Sequence, residues 1–188
     1  MNTNTHYFIA IGLPEEVRQK VETEKNKLKQ AFPFKKWVHP QDYHITLAFL
    51  GAATEEQRNK LTAILDEDTY DIDSFTLNIN KLGVFGSQDS PRIFWLGVEE
   101  NSTLHKLREN VFEKCKRAGF TLETRPFHPH ITLARKWAGS EKFRHDMLLS
   151  EFTLPEANPS FQVERFSLLQ THLNKEPKYE TIYTKKFD

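Results

Sequence analysis

The chain has 188 residues, and Lys+Arg 26 against Asp+Glu 26 leaves a formal net charge of zero, with 38% hydrophobic and 28% charged residues. The composition is that of an ordinary globular protein, and the charge balance excludes one that coats nucleic acid through bulk positive charge, so any anion must be met by a local site. The single cysteine, Cys115, excludes an internal disulfide, and no apolar run approaches membrane-spanning length. Met1 to His6 lacks a signal-peptide pattern, so a cytoplasmic protein with no membrane partner is expected.

In chain order, Tyr7 to Leu13 reads as a strand, and Pro14 with Glu15 and Glu16 suits the first turn of a helix. That helix should reach about Ala31, with Val17, Val21 and Leu28 on its apolar stripe and Pro33 as its stop. Trp37-Val38 leads into a strand at His44. Thr54 to Gln57 is a capping box for a second helix, buried through Leu61, Ile64 and Leu65 and ending softly near Asp66. Ser74 to Lys81 alternates Phe75, Leu77 and Ile79 with polar residues, Arg92 to Glu99 forms another strand, and Gly83 to Pro91 is expected to be a hairpin-like loop. Asn101 or Ser102 caps a helix through Ala118, stopped by Gly119; Cys115 shares its stripe with Leu104, Leu107 and Val111 and reads as a buried structural thiol. After a second motif strand at His130, Gly139-Ser140 is expected to open a short helix carrying Phe143, Met147 and Leu148. Val163 to Thr171 and Tyr179 to Phe187 form a closing hairpin that turns around Asn174 to Pro177. Helices interleaved with hairpins predict an α+β protein with largely antiparallel sheets. Neither GxGxxG nor GxxxxGK[ST] occurs, which removes the usual support for a dinucleotide enzyme or a P-loop ATPase.

The sequence uses one phrase twice: His44-Ile45-Thr46-Leu47-Ala48 returns as His130-Ile131-Thr132-Leu133-Ala134. Internal duplication explains this better than chance. On a strand, His and Thr share one face about 7 Å apart while Ile and Leu anchor the other. Packing alone needs only the aliphatic pair and gives no reason for His and Thr to stay polar opposite it. Two imidazoles with pKa near 6.5 can be base and acid at one pH, and hydroxyls can donate to phosphate oxygens, so the pattern points to phosphodiester chemistry. The residues alone do not assign which histidine gives the proton. A metal chelated by His128 and His130 is a weaker alternative, because Pro129 fixes φ between them and no third ligand is visible. No metal and no cofactor are expected.

Trp37-Val38-His39-Pro40 leading to His44 through Gly51, and Arg125-Pro126-Phe127-His128-Pro129 leading to His130 through Arg135, resemble the two-histidine phosphoesterase superfamily. Within it the chain is most similar to the LigT-like RNA 2′,3′-cyclic phosphodiesterases of bacteria and archaea. The resemblance runs from Tyr7-Phe8-Ile9-Ala10 through Phe94-Trp95-Leu96-Gly97-Val98 to the last strand. It implies a single bilobal domain over 1–188, with HxTx elements at 44–47 and 130–133. Two pseudo-symmetric antiparallel sheets would flank a central cleft, with helices outside. It also implies hydrolysis of RNA 3′ ends or nucleotides bearing a 2′,3′-cyclic phosphate to a 2′-phosphomonoester. His44 would then be the proton donor to the departing 3′ oxygen, His130 the base that activates water, and Thr46 and Thr132 holders of phosphate oxygens. Arg135 is favoured by resemblance as a further phosphate ligand, although strand parity puts Lys136, not Arg135, on the face of His130 unless a bulge intervenes. Arg125 and His128 are weaker candidates, and Trp37, Tyr43 or Phe127 could stack on a base. Competing readings are 2′-5′ RNA ligation or cleavage on tRNA halves and a noncatalytic RNA-end or nucleotide-binding module. A monomer with no obligate protein partner is expected.

Overall fold

The computed structural model describes residues 5–67, 70–150 and 159–187, without the side chains of 149 and 150. In chain order the elements begin with β1 (Tyr7–Gly12), α1 (Glu15–Ala31), β2 (Phe34–Trp37), a 3-10 turn (Pro40–Asp42) and β3 (His44–Gly51). Then come α2 (Glu55–Glu67), β4 (Phe75–Gly86), β5 (Pro91–Val98), α3 (Ser102–Arg117) and β6 (His130–Trp137). The chain closes with α4 (Met147–Ser150), β7 (Ser160–Val163), β8 (Arg165–Thr171) and β9 (Tyr179–Lys186). The sheet order is β7-β4-β5-β6-β3-β1-β8-β9, with β2 also on β6, and every pairing is antiparallel. No helix among the described residues is long and apolar enough to cross a membrane.

The duplication extends to hydrogen-bond register. Ile9, Ala10, Ile11 and Gly12 of β1 pair with Ala48, Thr46, Ile45 and His44, while Phe94, Trp95, Leu96 and Gly97 of β5 pair with Ala134, Thr132, Ile131 and His130. Each motif strand skips one residue against its partner, Leu47 in β3 and Leu133 in β6, which is a β-bulge at the same motif position. The half-sheets meet where Ile45 pairs with Ile131, so the two expected sheets share one strand path. Ile45, Leu47, Ala48, Ile131, Leu133 and Ala134 are all buried in the core.

Three local expectations change. The hairpin-like loop expected from Gly83 is still strand as far as Gly86, because Gly83 is there for packing: a Cβ on it would lie 2.2 Å from the Trp95 ring. Gly86, at φ 108°, makes the turn. The helix expected from Gly139 is confined to Met147–Ser150; Phe143 precedes it, buried against Phe32, Phe34 and Trp137, with its N–H donated to the Asp89 carbonyl at 2.9 Å. The strand expected from Val163 to Thr171 is broken at Glu164, so that Val163 ends β7 and β8 starts at Arg165; β2 and β7, four residues each, are too short to carry a legible alternation.

Candidate active site

Because Ile45 and Ile131 pair across the junction, the same antiparallel register brings His44 toward Thr132 and Thr46 toward His130. All four side chains are half-buried on the face opposite the aliphatic anchors. The duplicated pentapeptide therefore builds one cleft from two strands.

Each imidazole is held in the same way. His44 Nδ1 lies 2.7 Å from the Asp42 carbonyl, and His130 Nδ1 lies 2.7 Å from the His128 carbonyl. A carbonyl only accepts, so Nδ1 carries the proton in the neutral ring and Nε2 is left for chemistry. His44 Nε2 is 3.1 Å from the Thr46 hydroxyl; no protein hydrogen bond occupies His130 Nε2 among the described residues. The His44 ring also packs edge-on to Tyr179, with centroids 5.2 Å apart, and against Phe8 at 4.9 Å.

Asp42 does two jobs at once. Its carboxylate is buried and accepts from the Lys178 N–H at 2.9 and 3.1 Å and from the Tyr179 N–H at 3.2 Å. Its carbonyl meanwhile orients His44, so one residue ties the ring to the strand that presents Tyr179. Asp42→Ala strands two backbone donors and is expected to cost about 2–4 kcal/mol of stability, read as a fall in Tm. An unchanged Tm would show that the β9 start is held by other contacts.

Burial pushes His44 down to about 4, opposed by its bond to Asp42, with the charges of His130 and Arg135 adding to the depression. His130 is lowered too, by burial first, opposed by its bond to the His128 carbonyl, with the charges of His128 and Arg135 adding to the depression. Arg135 is thus felt at both imidazoles. The Leu133 bulge explains how: it shifts the phase of β6 so that Arg135, not Lys136, follows His130 and Thr132 onto the cleft face. The parity expectation favouring Lys136 is corrected accordingly; Lys136 is exposed at φ 64°. Phe49 is the matching residue of β3 and is 50% exposed.

A cavity of about 510 Å³ opens from Thr46 and His130 and is lined by Phe49, Phe85, Phe127 and Arg125 among others. Phe127 is therefore at the cleft, whereas Tyr43 is a core residue, 2% exposed, whose hydroxyl donates to Glu22. Trp37 packs against the core and donates to the Phe34 carbonyl. The His128 ring lies against Phe85 and Trp95, 6.5 Å from that of His130, and among the described residues no third ligand-type side chain joins them.

The family model described as LigT like Phosphoesterase matches twice, over residues 11–95 and 96–179, one motif in each match. The chain belongs to this family. It is 44% identical over 178 residues to an RNA 2′,3′-cyclic phosphodiesterase of Bacillus subtilis (strain 168), covering 95% of this chain and 94% of the relative. A protein of the same name from Thermotoga maritima is 31% identical over 96% of this chain and 95% of its own. Escherichia coli LigT crystallised with 3′-AMP superposes with a TM-score of 0.79 at 25% identity over 98% of both chains. In this LigT-like phosphoesterase, sequence reading missed Phe49, Asp42 and Tyr179. Only Phe49 left a signal, as the fifth residue after His44, where Arg135 stands in the second copy.

Proposed function

We propose that this chain hydrolyses the 2′,3′-cyclic phosphate at RNA 3′ ends to a 2′-phosphomonoester by metal-independent acid–base catalysis. The observation that carries this reading is the matched pair of imidazoles, each with Nδ1–H locked on a carbonyl two residues back and Nε2 turned to a shared cleft, where that of His44 meets only the Thr46 hydroxyl among the described residues. In the reaction, His130 Nε2 takes a proton from water as its oxygen forms a bond to phosphorus. The P–O3′ bond breaks, and His44 Nε2–H protonates the departing O3′. Thr46 and Thr132 donate to nonbridging oxygens, and the Arg135 guanidinium offers a two-pronged partner for the charge that grows on them. The terminal base suits the cavity beside His130, with Phe49 as its stacking surface. One chain supplies every group, which supports action as a monomer.

His44→Ala and His130→Ala are each expected to lower kcat/KM on a cyclic phosphate by about 100- to 10,000-fold, with turnover of the native chain insensitive to EDTA. Retained turnover in both variants would overturn the acid–base reading, and loss in EDTA restored by a divalent ion would replace it with metal chemistry. Phosphorus NMR of the product separates an opened 2′-phosphate from joined 2′-5′ RNA. Binding without turnover by the native chain would leave a recognition module.

A further inference from the structure

We propose that a groove leading from His44 past Gly12 to Arg165 carries the nucleotides on the 5′ side of the cyclic phosphate. It is a polyribonucleotide track on the opposite side of the dyad from the apolar cavity. This inference rests on the cyclic-phosphate reading above.

On the His44 side, a cavity of about 130 Å³ is lined by Gly12, Arg18, Gln41, His44 and Tyr179. It shares Gly12 and Ser167 with a second cavity of about 430 Å³ that extends to Gln162 and Arg165. Gly12 pairs with His44, and a Cβ built there meets nothing within 4 Å. Its counterpart in the second lobe is Gly97, paired with His130, where a Cβ would lie 3.0 Å from the Trp95 ring and 3.1 Å from the Lys81 side chain. The strand position paired with the histidine is therefore open at Gly12 and filled at Gly97.

Ribose connectivity says what the open side is for. C4′, with its 5′ arm, adjoins C3′, while the base sits on C1′ next to C2′. With O3′ leaving toward His44 and water arriving from His130, in-line geometry directs the 5′ arm to the His44 half and the base to the His130 half. The two halves differ as that demands: phenylalanines around the His130 cavity, and Arg18, Gln41, Gln162, Arg165 and Ser167 along the groove. Arg18 pairs with Glu15, and Arg165 lies 3.9 Å from Glu164. Ion pairs with at least one well-exposed partner, as both of these are, are weak enough for a phosphodiester to displace. Two such contacts fit a protein of zero net charge, which needs a short local track rather than a basic face.

The test compares adenosine 2′,3′-cyclic phosphate with a tetranucleotide ending in the same group, using the native chain and an Arg18→Glu, Arg165→Glu double variant. The native chain should favour the tetranucleotide by about 10-fold or more in kcat/KM, with a log–log salt slope steeper by about 1 than for the mononucleotide. The double variant should lose that advantage, its kcat/KM falling about 10-fold further on the tetranucleotide than on the mononucleotide. A 4-thiouridine in the penultimate position should crosslink within residues 162–167. Equal native rates on both substrates, proportional loss on both in the variant, or crosslinking to Phe127 would each overturn the track. If the native chain opens neither substrate, the cyclic-phosphate reading itself falls; turnover of the mononucleotide with no tetranucleotide advantage removes the track alone.

Discussion

Arg135→Ala is expected to lower kcat on a cyclic phosphate by about 100- to 1,000-fold, the loss typical when a preorganised group facing developing charge is removed. Lys136→Ala, one residue on, should change it by less than about twofold, as for other solvent-facing side chains. The contrast follows from the bulge. Phe94 pairs with Ala134 and Trp95 with Thr132, so Leu133 is extra, and both Leu133 and Ala134 are buried. Beyond that point the exposed cleft positions change phase, and Arg135 lies in one row with Ile93 on β5 and Lys36 on β2. Its charge reaches His44, His130 and Tyr179. As water adds to phosphorus, negative charge concentrates on the nonbridging oxygens, and a guanidinium fork stabilises that state more than the cyclic ester before it. Arg135→Lys should recover only part of the rate, because an ammonium offers a point charge without the planar pair of donors. A strong effect at Lys136 with none at Arg135 would mean that β6 runs unbulged in solution.

The same bulge shows where the sequence was readable and where it was not. His44 and Thr46, and His130 and Thr132, stood out because polar residues recur on a face that packing does not need. The phase shift stayed hidden because Leu47-Ala48-Phe49-Leu50 is apolar throughout and Leu133-Ala134 reads as ordinary core. Arg135 was favoured by resemblance; only the backbone supplies its physical reason. The Asp42 clamp joins residues 136 positions apart, and no local pattern encodes such a contact. Tyr43 failed as a stacking candidate because strand alternation starts only at His44, so the turn before it is free to send the ring inward to Glu22. Gly83 was misread because a glycine that admits a tryptophan ring looks, in sequence, like one that makes a turn.

The pH dependence is the sharper test of the dyad. In the empty cleft burial drives His44 down to about 4 and lowers His130, so near neutrality both rings are uncharged. The proposed reaction needs one of them protonated. The alkaline limb of kcat/KM, which reports the free enzyme, should therefore lie below the ordinary imidazole value of about 6.5. A bound phosphodiester brings negative charge beside both rings and favours the imidazolium, so the alkaline limb of kcat should lie at higher pH than that of kcat/KM. Stability follows the same groups. Their folded values are depressed below the unfolded value, so the unfolded chain takes up protons first as pH falls. The contribution of the neutral buried rings is complete above about 6.5 and is lost on acidification toward the folded values. The Tm of the unliganded protein should accordingly decline through that window, and inorganic phosphate, by favouring the charged rings in the fold, should flatten the decline. Coincident limbs of kcat and kcat/KM near pH 7 would mean that the imidazoles are solvated in the free cleft. His44 would then carry the proton used in the proposed step before substrate binds.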